Sequence, residues 1–263
     1  MNLTERVISV IYEQGFILLR GVFDADDIAV MSDAFDRLKR MAQSLAGNVM
    51  HNGANFVVEQ VAVGDRRVAH IRRISWCGGA DQTLLDYGAD PRLLQIASAL
   101  LNSDQMNQLI NQVHFKEPGD TVQFPLHQDS VHRGYGTDGW EDVDGRGSYV
   151  QTATLIDPMT EQNGPLIFVP GSCRDGHRGL AYSDVEWPED IDASLAVPVI
   201  GDPGDVAVFG PYTLHGSRPN NSTGSRRVFI NGYAYPGANR RQYKGEGAGR
   251  LLSVSDNRRA ADR

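Results

Sequence analysis

Between residues 107 and 235 the chain is a succession of short apolar runs, each cut off by glycine or proline. The runs are LINQVHFK, TVQF, YVQTATLI, PLIFV, DVAVF and RRVFINGYAY, and the breaks include Pro118-Gly119, Asn163-Gly164, Pro170-Gly171 and Pro203-Gly204. Runs rich in valine, isoleucine, threonine and aromatic residues suit extended strands, and the Pro-Gly and Asn-Gly pairs suit tight turns. Many such strands bury their apolar faces by forming a sandwich or a barrel. The expected fold is therefore mainly β.

The first hundred residues read differently. Leu3, Val7, Val10 and Ile11 fall on one face of a helix that Gly15 is placed to stop. FILLRGVF reads as a buried strand. A second helix, capped by Asp24, carries Ile28, Met31, Phe35, Leu38 and Ala42 at three- and four-residue steps toward Gly47. FVVEQVAV and VAHIRRISW read as two strands about the turn GDRR, and Pro91 suits the first turn of a helix after Asp90. These helices are expected to flank the barrel. No repeat and no linker divides the chain, so one domain is expected over residues 1–236, followed by a polar, mobile tail at 237–263.

Composition narrows the function. The net charge of −8, with no long basic run, argues against nucleic acid and anionic membrane as partners. Cys77 and Cys173 are the two cysteines and lie far apart, which disfavours a disulfide framework or a cysteine metal cluster and fits a reducing cytoplasm. MNLTERVISV carries Glu5 and Arg6 and lacks the apolar core of a signal peptide, and no stretch approaches a membrane span. A cytoplasmic protein acting on a small molecule is expected, in an oligomeric state the sequence leaves open.

The chemistry concentrates in FPLHQDSVH, residues 124–132. If this stretch is a strand, His127 and Asp129 point to one face. They are then either a polar pair at a strand end or two thirds of a metal site. His215 is the best third ligand, because it follows the apolar run DVAVF and precedes a turn. Two histidines and a carboxylate make the facial triad of non-haem Fe(II) oxygenases, which leaves positions open for reactants. Ser217 follows His215 by two residues and Arg226 by eleven.

Taken together, HQD at 127–129, NGPLIFVPGSC at 163–173 and HGS followed by arginine at 215–226 resemble the phytanoyl-CoA dioxygenase family of Fe(II)- and 2-oxoglutarate-dependent oxygenases. The resemblance covers roughly residues 10 to 235. It implies a double-stranded β-helix, a jelly-roll barrel of cupin type, in which His127, Asp129 and His215 bind iron. It further implies that Arg226, assisted by Ser217, grips the far carboxylate of 2-oxoglutarate. The implied reaction consumes O2, releases succinate and CO2, and hydroxylates or otherwise oxidises a C–H bond of a metabolite. Arginine suits the clamp because its planar fork pairs a carboxylate bidentately. Halogenating relatives lack the carboxylate ligand, so Asp129 favours hydroxylation. A cupin-type protein that binds metal or ligand without catalysis is the alternative, and a zinc hydrolase a weaker one.

Other residues are placed by pattern. Gln112 and His114 share a strand face and are candidates to line the cosubstrate pocket. Strand alternation sends Arg227 outward as a solvated charge, and His51 and His177 read as surface histidines. His132 falls in a loop as a candidate substrate contact. Residues 132–149 read as a loop over the barrel mouth, offering Tyr135 and Trp140 to substrate. The four acidic residues of that loop would suit a cationic substrate. His70, Arg72 and Ile74, alternating opposite Arg73, would suit an acidic one or simply face solvent. The charge of the substrate stays open.

Overall fold

The computed structural model describes residues 3–63, 66–120, 123–179, 191–243 and 249–255. Helix α1 (Glu5–Gln14) is capped by Thr4, whose hydroxyl accepts the Val7 N–H, and it stops at Gly15 with φ 90°. A Cβ there would be strained and would lie 2.7 Å from Thr213 Oγ1, so only glycine lets the helix end pack this closely. Strand β1 (Phe16–Leu19) is shorter than expected, because Gly21 turns with φ 57° and Arg20 and the Gly21 N–H both bond Asp205. Helix α2 (Ala25–Ala42) opens with reciprocal capping between Asp24 and Asp27 and buries Met31, Ala34, Phe35, Leu38 and Ala42. It ends before Gly47, because Gln43, Ser44 and Leu45 close back on carbonyls three residues earlier and tighten the last turn.

Strands β2 (Val49–His51), β3 (Ala54–Val63) and β4 (Arg66–Ser75) make a meander; Gly64 and Asp65 of the expected turn lie outside the described residues. Two helices follow, α3 (Gln82–Tyr87) and α4 (Pro91–Leu101), the second opening with Pro91 as expected and capped by Asp90. Beyond them come β5 (Gln105–Lys116), β6 (Phe124–His127), the single-turn helix α5 (Asp129–Arg133) and β7 (Tyr149–Leu155). The remaining strands are β8 (Leu166–Phe168), β9 (Val197–Pro198), β10 (Val206–Phe209), β11 (His215–Ser217), β12 (Arg226–Ala234) and β13 (Arg250–Ser253). The expected strand TVQF begins at Phe124; Thr121 and Val122 lie outside the described residues.

Among the described residues all strand pairings are antiparallel. The large sheet runs β1-β10-β7-β12-β5-β4-β3-β2, and the small sheet runs β6-β11-β8-β9. Between them lie Ala153, Leu155, Phe168, Phe209, Val228 and Ile230, the inward residues of β7, β8, β10 and β12. The alternate residues Val150, Val206, Val208, Phe229 and Tyr233 face the other way and pack under α1, α2 and α4 with Met31, Phe35, Leu38 and Leu94. This is the expected mainly-β double-stranded β-helix with flanking helices. Helices brace one face of the large sheet, and the site lies against the other.

Two expectations need correction. Residues 250–253 are a strand, not part of a mobile tail: Arg250 pairs with Gln108 and Ser253 with Gln105, on the part of β5 that β4 leaves uncovered. Leu252 packs on the core and Arg250 bonds Gln108 Oε1 and the Leu85 carbonyl, so an arginine in a polar segment holds an edge strand in place. The expected alternation of His70, Arg72 and Ile74 is broken by a bulge. Val58 pairs with Ile71 but Val57 with Arg73, so Ile71 and Ile74 both reach the core. Among the described residues no helix is long and apolar enough to cross a membrane.

Candidate active site

The small sheet brings the two halves of the motif together. His215 on β11 pairs directly with His127 at the end of β6, and with Phe168 of β8 on its other side. Gly216 permits this approach, since a Cβ there would meet the Phe124 carbonyl oxygen at 2.5 Å. The expectation that His127 and Asp129 share a strand face is wrong in detail: β6 stops at His127, and Asp129 is the first residue of α5. The side chains still converge, because Gln128 between them is turned away and pinned. Its amide donates to the Gly176 and Tyr212 carbonyls, and its Oε1 accepts from the Arg178 N–H. The Ser130 N–H donates to the Pro211 carbonyl and fixes the start of α5.

Ligand atoms of His127, Asp129 and His215 all lie within 4.8 Å of one another, and each residue is about 5% exposed. His127 Nδ1 is 2.9 Å from the Pro125 carbonyl, and His215 Nδ1 is 2.9 Å from the Thr213 carbonyl. A carbonyl only accepts, so each Nδ1 carries the proton and each Nε2 presents a lone pair inward, the arrangement that orients metal-binding histidines. Asp129 Oδ2 is buried with no hydrogen-bond partner and sits 3.9 Å from His215 Nε2. Two imidazole lone pairs and an orphaned carboxylate oxygen therefore face one point, where a cation would satisfy all three. Burial drives the His127 pKa down to about 3, helped by His215, which keeps the ring neutral at physiological pH. Burial alone would raise the Asp129 pKa, but His215, Arg133 and His127 outweigh it and hold the carboxylate ionised. Phe209 and Phe168 pack against the His215 ring at centroid distances of 4.7 and 5.7 Å.

These three side chains share a cavity of about 60 Å³ with Gln112, His114, Ser217 and Arg226. Arg226 is 2% exposed, and its Nε and Nη2 both donate to the Gly164 carbonyl at 3.1 and 2.7 Å, while Nη1 makes no hydrogen bond among the described residues. No carboxylate among the described residues pairs with it, and burial lowers its pKa to about 10. Ser217 Oγ is buried without a partner among the described residues. His114 is held down to about pKa 3, by burial first and then by Arg73, Arg226 and Lys116. The cavity thus joins a three-donor metal site to a buried cation and a hydroxyl, the chemistry that suits a metal-bound molecule with a distal carboxylate.

Arg227 faces the other way, as alternation requires, but it is not a solvated charge. It pairs with Asp157 at 2.8 Å and Asp36 at 3.3 Å above the Phe35 ring, locking β12 to α2. His132 lies on α5 rather than in a loop, with its ring 5.5 Å from that of His127. Tyr135 and Trp140 do not line the cavity. They stack on each other at 4.8 Å and both donate to the Gly147 carbonyl, so they are the internal core of residues 132–149. His177 is exposed, but its Nδ1 lies 2.7 Å from Ser130 Oγ and helps hold α5. A larger cavity of about 380 Å³ lies elsewhere, between α1, α4 and the turn at 144–146, and none of the three donors lines it.

A model of the family described as Phytanoyl-CoA dioxygenase matches residues 11–228. The chain is 26% identical over 226 residues to the ectoine dioxygenase of Sphingopyxis alaskensis, covering 78% of this chain and 67% of that protein. It is 30% identical over 135 residues to a probable alpha-ketoglutarate-dependent hypophosphite dioxygenase of Stutzerimonas stutzeri, covering 47% and 43%. The chain therefore matches from about two fifths to two thirds of these relatives' lengths. Among solved structures, apo EctD from S. alaskensis superposes with a TM-score of 0.70 at 23% identity over 94% of this chain and 82% of that one. SnoK, an alpha-ketoglutarate-dependent carbocyclase of nogalamycin biosynthesis, superposes with a TM-score of 0.66 at 15% identity over 99% and 91%. At these identities the superpositions establish a shared fold.

Proposed function

The chain belongs to the phytanoyl-CoA dioxygenase family, and from that premise we propose that it is an Fe(II)- and 2-oxoglutarate-dependent dioxygenase that hydroxylates a C–H bond of a small molecule. The observation that carries this reading is the single cavity in which an orphaned Asp129 oxygen and two inward Nε2 atoms meet an unpaired Arg226. His127, Asp129 and His215 hold the iron, and Arg226 with Ser217 holds the far carboxylate of 2-oxoglutarate. When bound, the iron and its cosubstrate supply an oxidant from O2, with release of succinate and CO2.

The chain's own residues do the rest. The Pro125 and Thr213 carbonyls fix the tautomers of the two histidines, and Phe209 and Phe168 keep water from the His215 ring. Arg226 exchanges its lack of a counter-ion for a carboxylate, which orients the cosubstrate and favours its charged form. Gln112 and His114 line the same cavity and are placed to hydrogen-bond the cosubstrate, His114 through an Nε2 that has no partner. Arg226 and Ser217 weigh against a cupin-type binding protein, which has no need of a carboxylate clamp. Incubation of the Fe(II) protein with 2-oxoglutarate and O2 is expected to form succinate slowly without added substrate, and His127→Ala to abolish it. Succinate formation that is equal in the variant would sink the proposal.

A further inference from the structure

Beside the iron cavity, and sharing Gln112 with it, lies a second cavity of about 200 Å³. Trp76 forms part of its wall, and Trp76 is held in the left-handed conformation at φ 53°. A tryptophan in this conformation is strained, and such strain is characteristically kept at sites that bind ligands. At about 200 Å³ the cavity has room for a small ligand rather than a single water.

Arg73 also lines this cavity, and it gets there through the bulge in β4. Its cross-strand neighbour on β5 is His114, which lines the iron cavity, so both side chains lie along the same stretch of sheet. The adjacent Arg72 is satisfied by Glu59 and Asp120, each at 2.7 Å. The Arg73 side chain makes no hydrogen bond or ion pair among the described residues, and its Nε is buried. The described residues lining the cavity include no carboxylate: its polar members besides Arg73 are Asn55, Ser75, Asn111, Gln112 and Tyr243. A second guanidinium, Arg133, lies over the ring of Tyr243, another wall residue, at 5.2 Å.

An unpaired guanidinium with a buried nitrogen is costly unless a ligand supplies the missing acceptor. We infer that the cavity takes the oxidisable substrate, that this substrate carries a carboxylate, and that Arg73 binds that carboxylate while Trp76 packs on its apolar body. The inference rests on the dioxygenase reading for what the substrate undergoes, but the anion site is a property of this cavity alone. It eases the contradiction in the sequence, because three of the four acidic residues of 132–149 are engaged elsewhere: Asp142 and Asp144 bond Ser148, and Glu141 pairs with Arg240.

The test uses small acids and their primary amides: benzoate and benzamide, phenylacetate and phenylacetamide, L-proline and L-prolinamide. Binding is measured calorimetrically on the protein saturated with Fe(II) and 2-oxoglutarate without O2, while the visible absorption of the bound keto acid is followed. At least one acid is expected to bind more tightly than its amide and to leave the keto-acid absorption in place. Arg73→Gln is expected to weaken that acid roughly thirtyfold or more, as for removal of one partner of a buried charge pair. Arg73→Lys is expected to lose less, and neither variant to change 2-oxoglutarate affinity. The inference is overturned if no acid binds at millimolar concentration, if amides bind as well as acids, if Arg73→Gln binds like wild type, or if the acids displace 2-oxoglutarate. A wild-type protein with no keto-acid absorption would instead remove the dioxygenase reading; acid binding to that protein, and its loss in Arg73→Gln, would still decide the role of Arg73.

Discussion

Truncating Arg226 separates its work for folding from its work for the cosubstrate. In the folded protein its charge is buried with no carboxylate partner among the described residues, and its pKa falls to about 10 from an ordinary 12.5. Burying that charge costs on the order of 3 kcal/mol at any pH below about 10. Arg226→Ala removes this cost but leaves the Gly164 carbonyl without its two donors, a loss of about 1–3 kcal/mol. The two effects oppose each other, so the apo variant is expected to fold with a melting temperature close to wild type. The loss appears when 2-oxoglutarate binds, because its far carboxylate then has Ser217 but no cation. Removing one partner of such a pair costs about 2–5 kcal/mol, which is roughly a thirtyfold to four-thousandfold rise in Kd. Arg226→Lys keeps the charge without the fork and is expected to fall between. The assay is anaerobic titration of the Fe(II)-loaded protein with 2-oxoglutarate, followed by visible absorption, beside thermal denaturation of the apo forms. Equal affinity in wild type and Arg226→Ala would refute the reasoning.

Arg227→Ala is expected to do the reverse, lowering thermal stability by about 1–3 kcal/mol through loss of the Asp157 and Asp36 pairs while leaving 2-oxoglutarate affinity unchanged. Gly216→Ala forces a Cβ against the β6 backbone, so it is expected to lower iron occupancy, measured by metal analysis, while far-UV circular dichroism shows the sheets retained. His114 has a folded pKa of about 3 against an ordinary 6.5, so the unfolded chain takes up a proton there first. Stability of the apo protein should therefore be full above pH 6.5 and fall progressively between 6.5 and 3. His114→Gln is expected to make that acid-side decline in urea midpoint shallower, and an unchanged slope would show that His114 is not buried neutral.

The sequence made the strands, their turns and the inward metal donors legible, because each follows from a local rule of period, turn chemistry or ligand type. Alternation placed Arg226 and Arg227 on opposite faces correctly, yet it said nothing of Asp157 and Asp36, which lie far away in sequence and turn a supposed surface charge into a tie between β12 and α2. His127 and Asp129 converge for a reason no strand rule contains, namely that Gln128 is pinned outward by three backbone bonds from two other segments. His70, Arg72 and Ile74 were read onto one face for want of the bulge, since a period of two fails where one strand carries an extra residue. Tyr135 and Trp140 looked like substrate contacts because glycine-rich loops often carry function. Their shared acceptor, the Gly147 carbonyl, becomes visible only once the loop is folded. The backbone carbonyls of Pro125 and Thr213 have no side-chain signature at all, although they decide which imidazole nitrogen faces the metal.

The central claim is that one iron site at His127, Asp129 and His215 binds 2-oxoglutarate, and the most direct measurement is anaerobic loading with Fe(II) followed by 2-oxoglutarate titration. Wild type is expected to take up one iron and develop the visible band of a chelated keto acid. His127→Ala, Asp129→Ala and His215→Ala should each lose most of the iron and the band, and His132→Ala should keep both. The account is contradicted if wild type shows no band, or if His215→Ala retains full iron while His132→Ala loses it.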